Sequence, residues 1–227
     1  MSLEDFEGFY DDLLAELPEE EHKRATRFRI AAARHRFVLA HSVLRRSLGS
    51  LIDVDPGDLV FSTGERGKPL LVVPEIVDPP QFNLSHSGNM VVFVVGSVDL
   101  GVDVEGLREV SNAARLARRF FSPSEQSMIN TLDGATRDHA FLRIWTQKEA
   151  YLKATGLGVG MPLCEVETEP DPQAPPRLHA IAGDRKESAR WTLLGAQVPG
   201  AVCTVAVRGP AAKLQVRRFT PADLDAR

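Results

Sequence analysis

Two hydrophobic periods run along this chain. Over residues 19–48 the apolar positions Phe28, Phe37, Leu39, Val43 and Leu44 form one stripe at helical spacing. That predicts a long helix over 19–48, closed by Gly49 at its C-terminus. The period then shortens. Strands are expected at 59–62 and 70–73 around the turn GERGKP, which presents Lys68 and Pro69. After a loop over 74–80, strands are expected at 82–84 and 90–96, around a turn at 85–89. The run MVVFVVG at 90–96 is apolar throughout and suits a strand buried on both faces. A turn at 99–101 leads into a strand over 102–105. No alternating strand is read in residues 1–10.

The second half repeats this order loosely. Helices are expected over 111–121, 124–132 and 137–154, the last ending at Gly156. Ser122, Pro123 and Glu125 supply the capping residue, first-turn proline and third-position acid of a helix start. Strands follow at 164–169, 178–181, 190–197 and 202–208, with a loop at 171–176. Both halves carry a helix closing at glycine and finish in an apolar strand. The pattern predicts a mixed α/β fold of two similar halves, 1–100 and 101–227, with a ligand cleft between them.

Composition narrows the classes. The chain has 227 residues, 43% hydrophobic and 26% charged, enough for a buried core. No apolar run is long enough to span a membrane, and the acidic start MSLEDFEGFYDD lacks the order of a signal peptide. A cytoplasmic location is expected. Cys164 and Cys203 have no metal-like or redox-like spacing and read as reduced thiols. The net charge of −4 argues against nucleic acid as a partner. Yet residues 22–36 hold Lys23, Arg24, Arg27, Arg29, Arg34 and Arg36 with no acid among them. Such a segment is either a solvated helix face or a site for a small polyanion.

Three segments carry candidate chemistry. In GVDVEG, strand periodicity puts Asp103 and Glu105 on one face, about 6.6 Å apart, with Val102 and Val104 on the other. The pair is either an exposed acidic edge or part of a cation site. In WTQKEAYLK, Trp145, Glu149 and Lys153 share a helix face. Glu149 can complete an oxygen-ligand site for Mg²⁺, with Lys148 and Lys153 beside it for phosphate oxygens. In FNLSHSG, Ser85 and His86 are expected in a turn whose amides can cradle a phosphate. No nucleophile elbow and no P-loop pattern occurs.

In this order and spacing the segments GKP (67–69), FNLSHS (82–87), GVDVE (101–105), FFSPSE (120–125) and WTQKEAYLK (145–153) resemble the Sfp-type 4′-phosphopantetheinyl transferases, in the branch with KEA. The resemblance covers about residues 20–165; residues 170–227 match only in general pattern. It implies a pseudo-dimer of two α/β halves that moves the phosphopantetheine arm of coenzyme A onto a serine of an apo acyl or peptidyl carrier protein, releasing adenosine 3′,5′-bisphosphate. It also implies a Mg²⁺ site (Mn²⁺ as alternative) at Asp103, Glu105 and Glu149, with Glu149, directly or through a metal-bound water, taking the serine proton. Lys148 and Lys153 would neutralise the pyrophosphate. Lys68, next to Pro69, and Ser85 would lie near the adenine and ribose end. His86, Arg24 and Arg36 would contact the 3′-phosphate or pyrophosphate. A fused pseudo-dimer would be a monomer. A lysine of the family upstream of Arg24 is replaced by acid at Glu19–Glu21.

Carrier proteins have acidic helices, so AARLARRFF at 113–121, with Arg115, Arg118, Arg119, Phe120 and Phe121, is expected to form part of a docking face. A metal-dependent phosphohydrolase of a nucleotide diphosphate and a non-catalytic coenzyme A-binding module are the competing readings.

Overall fold

The computed structural model describes residues 1–64, 66–73, 76–210 and 213–224; parts of the predicted turn at 64–69 and loop at 74–80 lie outside these. After a 3-10 segment at Leu3–Phe9 come helices α1 (Tyr10–Ala15), α2 (Glu19–Thr26) and α3 (Ala31–Ile52). The helix expected over 19–48 is therefore two. The amides of Arg27 and Phe28 turn back to the carbonyls of Arg24 and Ala25, and Ile30 is extended, with φ −92° and ψ 118°. The bend brings the Phe28 ring onto Phe37, with centroids 5.3 Å apart. Glu21 then bonds Arg45 Nε at 2.9 Å and His41 Nδ1 at 3.1 Å, which pins α2 to α3.

Gly49 does not cap α3. The helix runs on to Ile52, and Asp53 closes it in the left-handed conformation, φ 57° and ψ 47°. Gly49 is instead a point of close approach. A Cβ there would overlap the carbonyl oxygen of Val54 and crowd Pro56, so the returning loop leaves room for hydrogen alone.

Strands β1 (Val60–Thr63) and β2 (Pro69–Val72) form one antiparallel hairpin, and β3 (Gln81–Ser87) and β4 (Met90–Gly96) another. Next come β5 (Leu100–Gly106), α4 (Ala113–Phe120), α5 (Pro123–Thr131) and α6 (Gly134–Thr155). They are followed by β6 (Val166–Thr168), β7 (Leu178–Ile181), α7 (Arg185–Ser188), β8 (Trp191–Ala196) and β9 (Ala201–Arg208). The second half holds the antiparallel sheet β5-β9-β8 and the pair β6-β7. Gly156, with φ 67°, caps α6 as its position predicts.

The turn expected at 85–89 is narrower. Ser85, His86 and Ser87 are strand residues opposite Val92, Val91 and Met90. Gly88, at φ 55°, and Asn89 make the reversal. β4 has apolar partners on both faces. Phe93 and Val95 pack with Leu44 and Leu48 of α3, and Val92 and Val94 with Val102 and Val205.

β5 has two unlike faces. Val102 and Val104 join Cys203 and Val205 in an apolar cluster. The opposite face, which carries Asp103, is no exposed edge, because α6 lies on it. A Cβ at Gly101 would overlap backbone atoms of Ala150 and Ala154, so this glycine sets how closely helix and strand cross. β3 and β5 belong to different sheets and are joined through side chains. Asn83 Oδ1 accepts the Val102 N–H at 2.9 Å, Ser85 Oγ that of Val104 at 3.3 Å, and Ser87 Oγ that of Gly106 at 3.0 Å. No helix among the described residues is long and apolar enough to cross a membrane. Cys203 is buried and Cys164 exposed, both as free thiols.

Candidate active site

α6 is buried around most of its circumference, and Trp145, Glu149 and Lys153 form a half-buried stripe along it. Gly101 lets this helix lie on β5, so Glu149 and Lys153 meet Asp103. Lys153 Nζ donates to Asp103 Oδ1 at 2.6 Å and to Ser85 Oγ at 2.9 Å. Ser85 donates its own proton to Asp103 Oδ1 at 2.9 Å. The Ser85 hydroxyl thus makes one donated and two accepted bonds, its full capacity. Ser85 is committed to the carboxylate cluster and has no bond left for an adenine or ribose.

Asp103 is only 6% exposed. Burial raises its carboxyl above the usual range, against the pull of Lys153 and Ser85, with Glu105 raising it further. Glu149 is also raised, first by burial and then by the negative charge of Asp103, with a smaller push from Glu105. The three carboxylates therefore feel one another, in a place short of water.

Beside them lies a positive group. Burial and the charges of Arg36 and Lys153 hold the His86 imidazole below its ordinary pKa, while Glu105 opposes them. At neutral pH the ring is uncharged and can still donate one hydrogen bond. Arg36 Nε is buried without a hydrogen-bond partner. Arg36, His86, Lys153 and Glu105 thus share one neighbourhood. Arg24 is exposed, with its guanidinium 5.1 Å from the centroid of Phe37. Lys23 is neutralised by Glu19 and Glu20, so the run at 22–36 is not one continuous cationic surface.

Two lysines are bonded within the protein. Lys148 is fully buried and ion-paired with the equally buried Glu125 at 2.7 Å. Its other protons go to the carbonyls of Leu163, at 3.0 Å, and Val166. Glu125 also accepts from the N–H of Ser122 at 2.7 Å and from the N–H and Oγ1 of Thr168, both at 2.8 Å. Every donor of Lys148 is occupied, so it is no pyrophosphate clamp. It ties the FFSPSE turn to α6 and β6. Its neighbour Glu149 faces another side of the helix, since one residue along turns the side chain by about 100°. Lys68 Nζ donates to the carbonyls of Leu100 at 3.1 Å and Ala154 at 2.9 Å. It fastens the first half to the end of α6. Pro69 is exposed at the start of β2. Trp145 is packing, edge-on to Phe120 and stacked on Phe141.

Among the described residues, no three acid, histidine or cysteine side chains converge closely enough to hold a metal ion as they stand; the Lys153 ammonium lies on Asp103 instead. The donor set nevertheless fits a hard cation. Asp103 Oδ2 is buried without any partner, and the raised carboxyls of Asp103 and Glu149, with the charge of Glu105 beside them, are relieved by positive charge. Sequence reasoning missed Asn83 and Ser87, although their spacing of two from Ser85 along a strand places all three on one face.

A family model for the 4′-phosphopantetheinyl transferase superfamily matches residues 99–206, and one for the 4′-phosphopantetheinyl transferase N-terminal region matches residues 6–97. The chain is 38% identical over 202 residues to the 4′-phosphopantetheinyl transferase HetI of Nostoc sp., covering 88% of this chain and 81% of that one. To a putative 4′-phosphopantetheinyl transferase of Synechocystis sp. it is 37% identical, covering 66% and 61%. To the transferase Sfp of Bacillus subtilis it is 33% identical, covering 63% and 62%. With a carboxylate cluster on β5 and α6, a cationic group beside it and relatives matching across both halves, the chain belongs to the 4′-phosphopantetheinyl transferase family.

Proposed function

We propose that this protein transfers the 4′-phosphopantetheine arm of coenzyme A to a serine of an apo acyl or peptidyl carrier protein, at the junction of β3, β5 and α6. One observation carries the reading. A buried acceptor without a partner, Asp103 Oδ2, and a buried donor without a partner, Arg36 Nε, flank the His86–Lys153 neighbourhood. A cation bound together with a phosphate anion would satisfy both at once.

Asp103, Glu105 and Glu149 are the residues to hold Mg²⁺ or Mn²⁺. Bound there, the ion supplies positive charge to the pyrophosphate oxygens and to the departing phosphate. Lys153, with two of its three protons bonded within the protein, directs the third at the pyrophosphate. Arg36 supplies charge and His86 a neutral donor to phosphate oxygens. Glu149 accepts the proton of the carrier serine. The serine oxygen–phosphorus bond forms, the bond to the bridging oxygen of the pyrophosphate breaks, and adenosine 3′,5′-bisphosphate leaves.

Arg115, Arg118 and Arg119 are exposed along α4 and form the docking face for the acidic carrier. Phe121 is withdrawn from it, being buried on Phe141 at a centroid distance of 4.8 Å, and Phe120 leans on Trp145. The halves 1–100 and 101–227 act as one cytoplasmic monomer.

The test is direct. The protein is incubated with coenzyme A, Mg²⁺ and a panel of apo carrier proteins, and mass spectrometry looks for the gain of one phosphopantetheine. No gain with any carrier rejects the reading. Nucleotide release without a carrier favours the phosphohydrolase.

A further inference from the structure

β3 and β5 meet through a repeated device. Ser85 Oγ accepts the N–H of Val104 and donates to the carboxylate of Asp103. Two residues on, Ser87 Oγ accepts the N–H of Gly106 at 3.0 Å and donates to Glu105 Oε2 at 3.2 Å. In both cases the hydroxyl of one residue takes the amide 19 positions later and binds the carboxylate 18 positions later. Asn83 repeats the amide half of the pattern with Val102. There the position 18 later is Gly101, whose missing side chain admits α6. The constant offset means that the two strands run in the same direction in fixed register. Period two is the strand period, so Asn83, Ser85 and Ser87 project from one face of β3.

We propose that Ser87 is a positioning residue for divalent-cation binding, holding the Glu105 carboxylate in register with Asp103 through the paired bonds to Glu105 Oε2 and the Gly106 N–H. The proposal rests on the cation site inferred above. Ser87 does not touch the cation. It spends its proton on one carboxylate oxygen and leaves the other for a ligand. Arg108 Nη2 also reaches Glu105 Oε2, at 3.1 Å, but from an exposed side chain that solvent competes for. The hydroxyl is the partner tied to the strand. A side chain supporting a ligand in this way is worth about tenfold or more in metal affinity.

The experiment compares wild type, Ser87→Ala and Ser87→Thr. Mn²⁺ is titrated into the coenzyme A-bound protein, and free Mn²⁺ is read by electron paramagnetic resonance. Amide hydrogen exchange at Gly106 is measured by NMR on the metal-free protein. Expected for Ser87→Ala is Mn²⁺ binding weakened by about tenfold or more, with the metal concentration for half-maximal transfer raised by the same factor. The carrier KM stays unchanged, and Gly106 exchanges about fivefold faster. Ser87→Thr, which keeps the hydroxyl, recovers most of both effects. Wild-type Mn²⁺ affinity in Ser87→Ala, or equal losses in the alanine and threonine variants, overturns the positioning role while the cation site stands. Absence of Mn²⁺ binding by wild type overturns the cation site and the proposal with it. Unchanged Gly106 exchange overturns the clasp independently of any metal.

Discussion

The two oxygens of Asp103 have different fates. Oδ1 is saturated by Lys153 and Ser85, while Oδ2 is buried and unpartnered. Asp103→Asn keeps the shape and removes the charge. It should lower transfer by two to three orders of magnitude with an unchanged circular dichroism spectrum; near-normal turnover would move the cation site elsewhere. Lys148, five residues before Lys153, is its opposite in kind. Lys148→Met strands the buried Glu125 charge and should cost about 3–5 kcal/mol in urea unfolding. The coenzyme A KM of the folded fraction should stay constant. A clamp residue would show the reverse, an altered KM and normal stability. Sequence spacing put Glu149 and Lys153 on one helical face. It could not tell which of the two lysines faces the core, because both are long and cationic and lie within four residues of the same glutamate.

Among the elements, the crossing of α6 on β5 decides the geometry of the site. Gly101→Ala puts a methyl group where backbone atoms of Ala150 and Ala154 lie, and neither is a flexible side chain. Separation of strand from helix should pull Asp103 from Lys153, lowering both the thermal midpoint and kcat; unchanged values of both would show that the crossing is loose. The α2–α3 junction carries a pH dependence. Burial raises the Glu21 carboxyl, but hydrogen bonds from His41 and Arg45 and their charges outweigh it, and bring it down to about 2 from an ordinary 4.5. A depressed carboxylate contributes stability that is fully present above its unfolded pKa. The contribution, about 3 kcal/mol, is lost as pH falls from about 4.5 towards 2. Glu21→Gln should flatten the acid limb of the stability–pH curve in that window; an unaltered acid limb would mean that another group controls it.

For the molecule as a whole, the joint between the halves matters most. Beside the apolar contact of Val92 and Val94 with Val102 and Val205, it is held by polar contacts: the Asn83–Ser85–Ser87 rack and the Lys68 bonds to Leu100 and Ala154. The candidate site lies against that joint, so residues from both halves build it. The exposed arginines of α4 lie outside it. Reversing charge at Arg118 and Arg119 should raise the carrier KM by about tenfold, through slower association, with coenzyme A affinity unaffected. Unchanged carrier kinetics would remove α4 from the docking face.

The sequence by itself determined most of the elements, since periods of 3.6 and 2 follow from local geometry: β4, β5, the capped start of α5, and α6 with its glycine cap. It also determined the family, through five short segments in order, and the sharing of a face by Asp103 with Glu105 and by Glu149 with Lys153. The tertiary structure alone decided what those faces meet. The break at 27–30, the steric role of Gly49, the withdrawal of Lys148 into an ion pair with Glu125 and the rack of hydroxyls on β3 all depend on partners distant in sequence. No local spacing encodes a contact between residues 85 and 103, or 125 and 148, because the chain between them sets the approach only after it has folded.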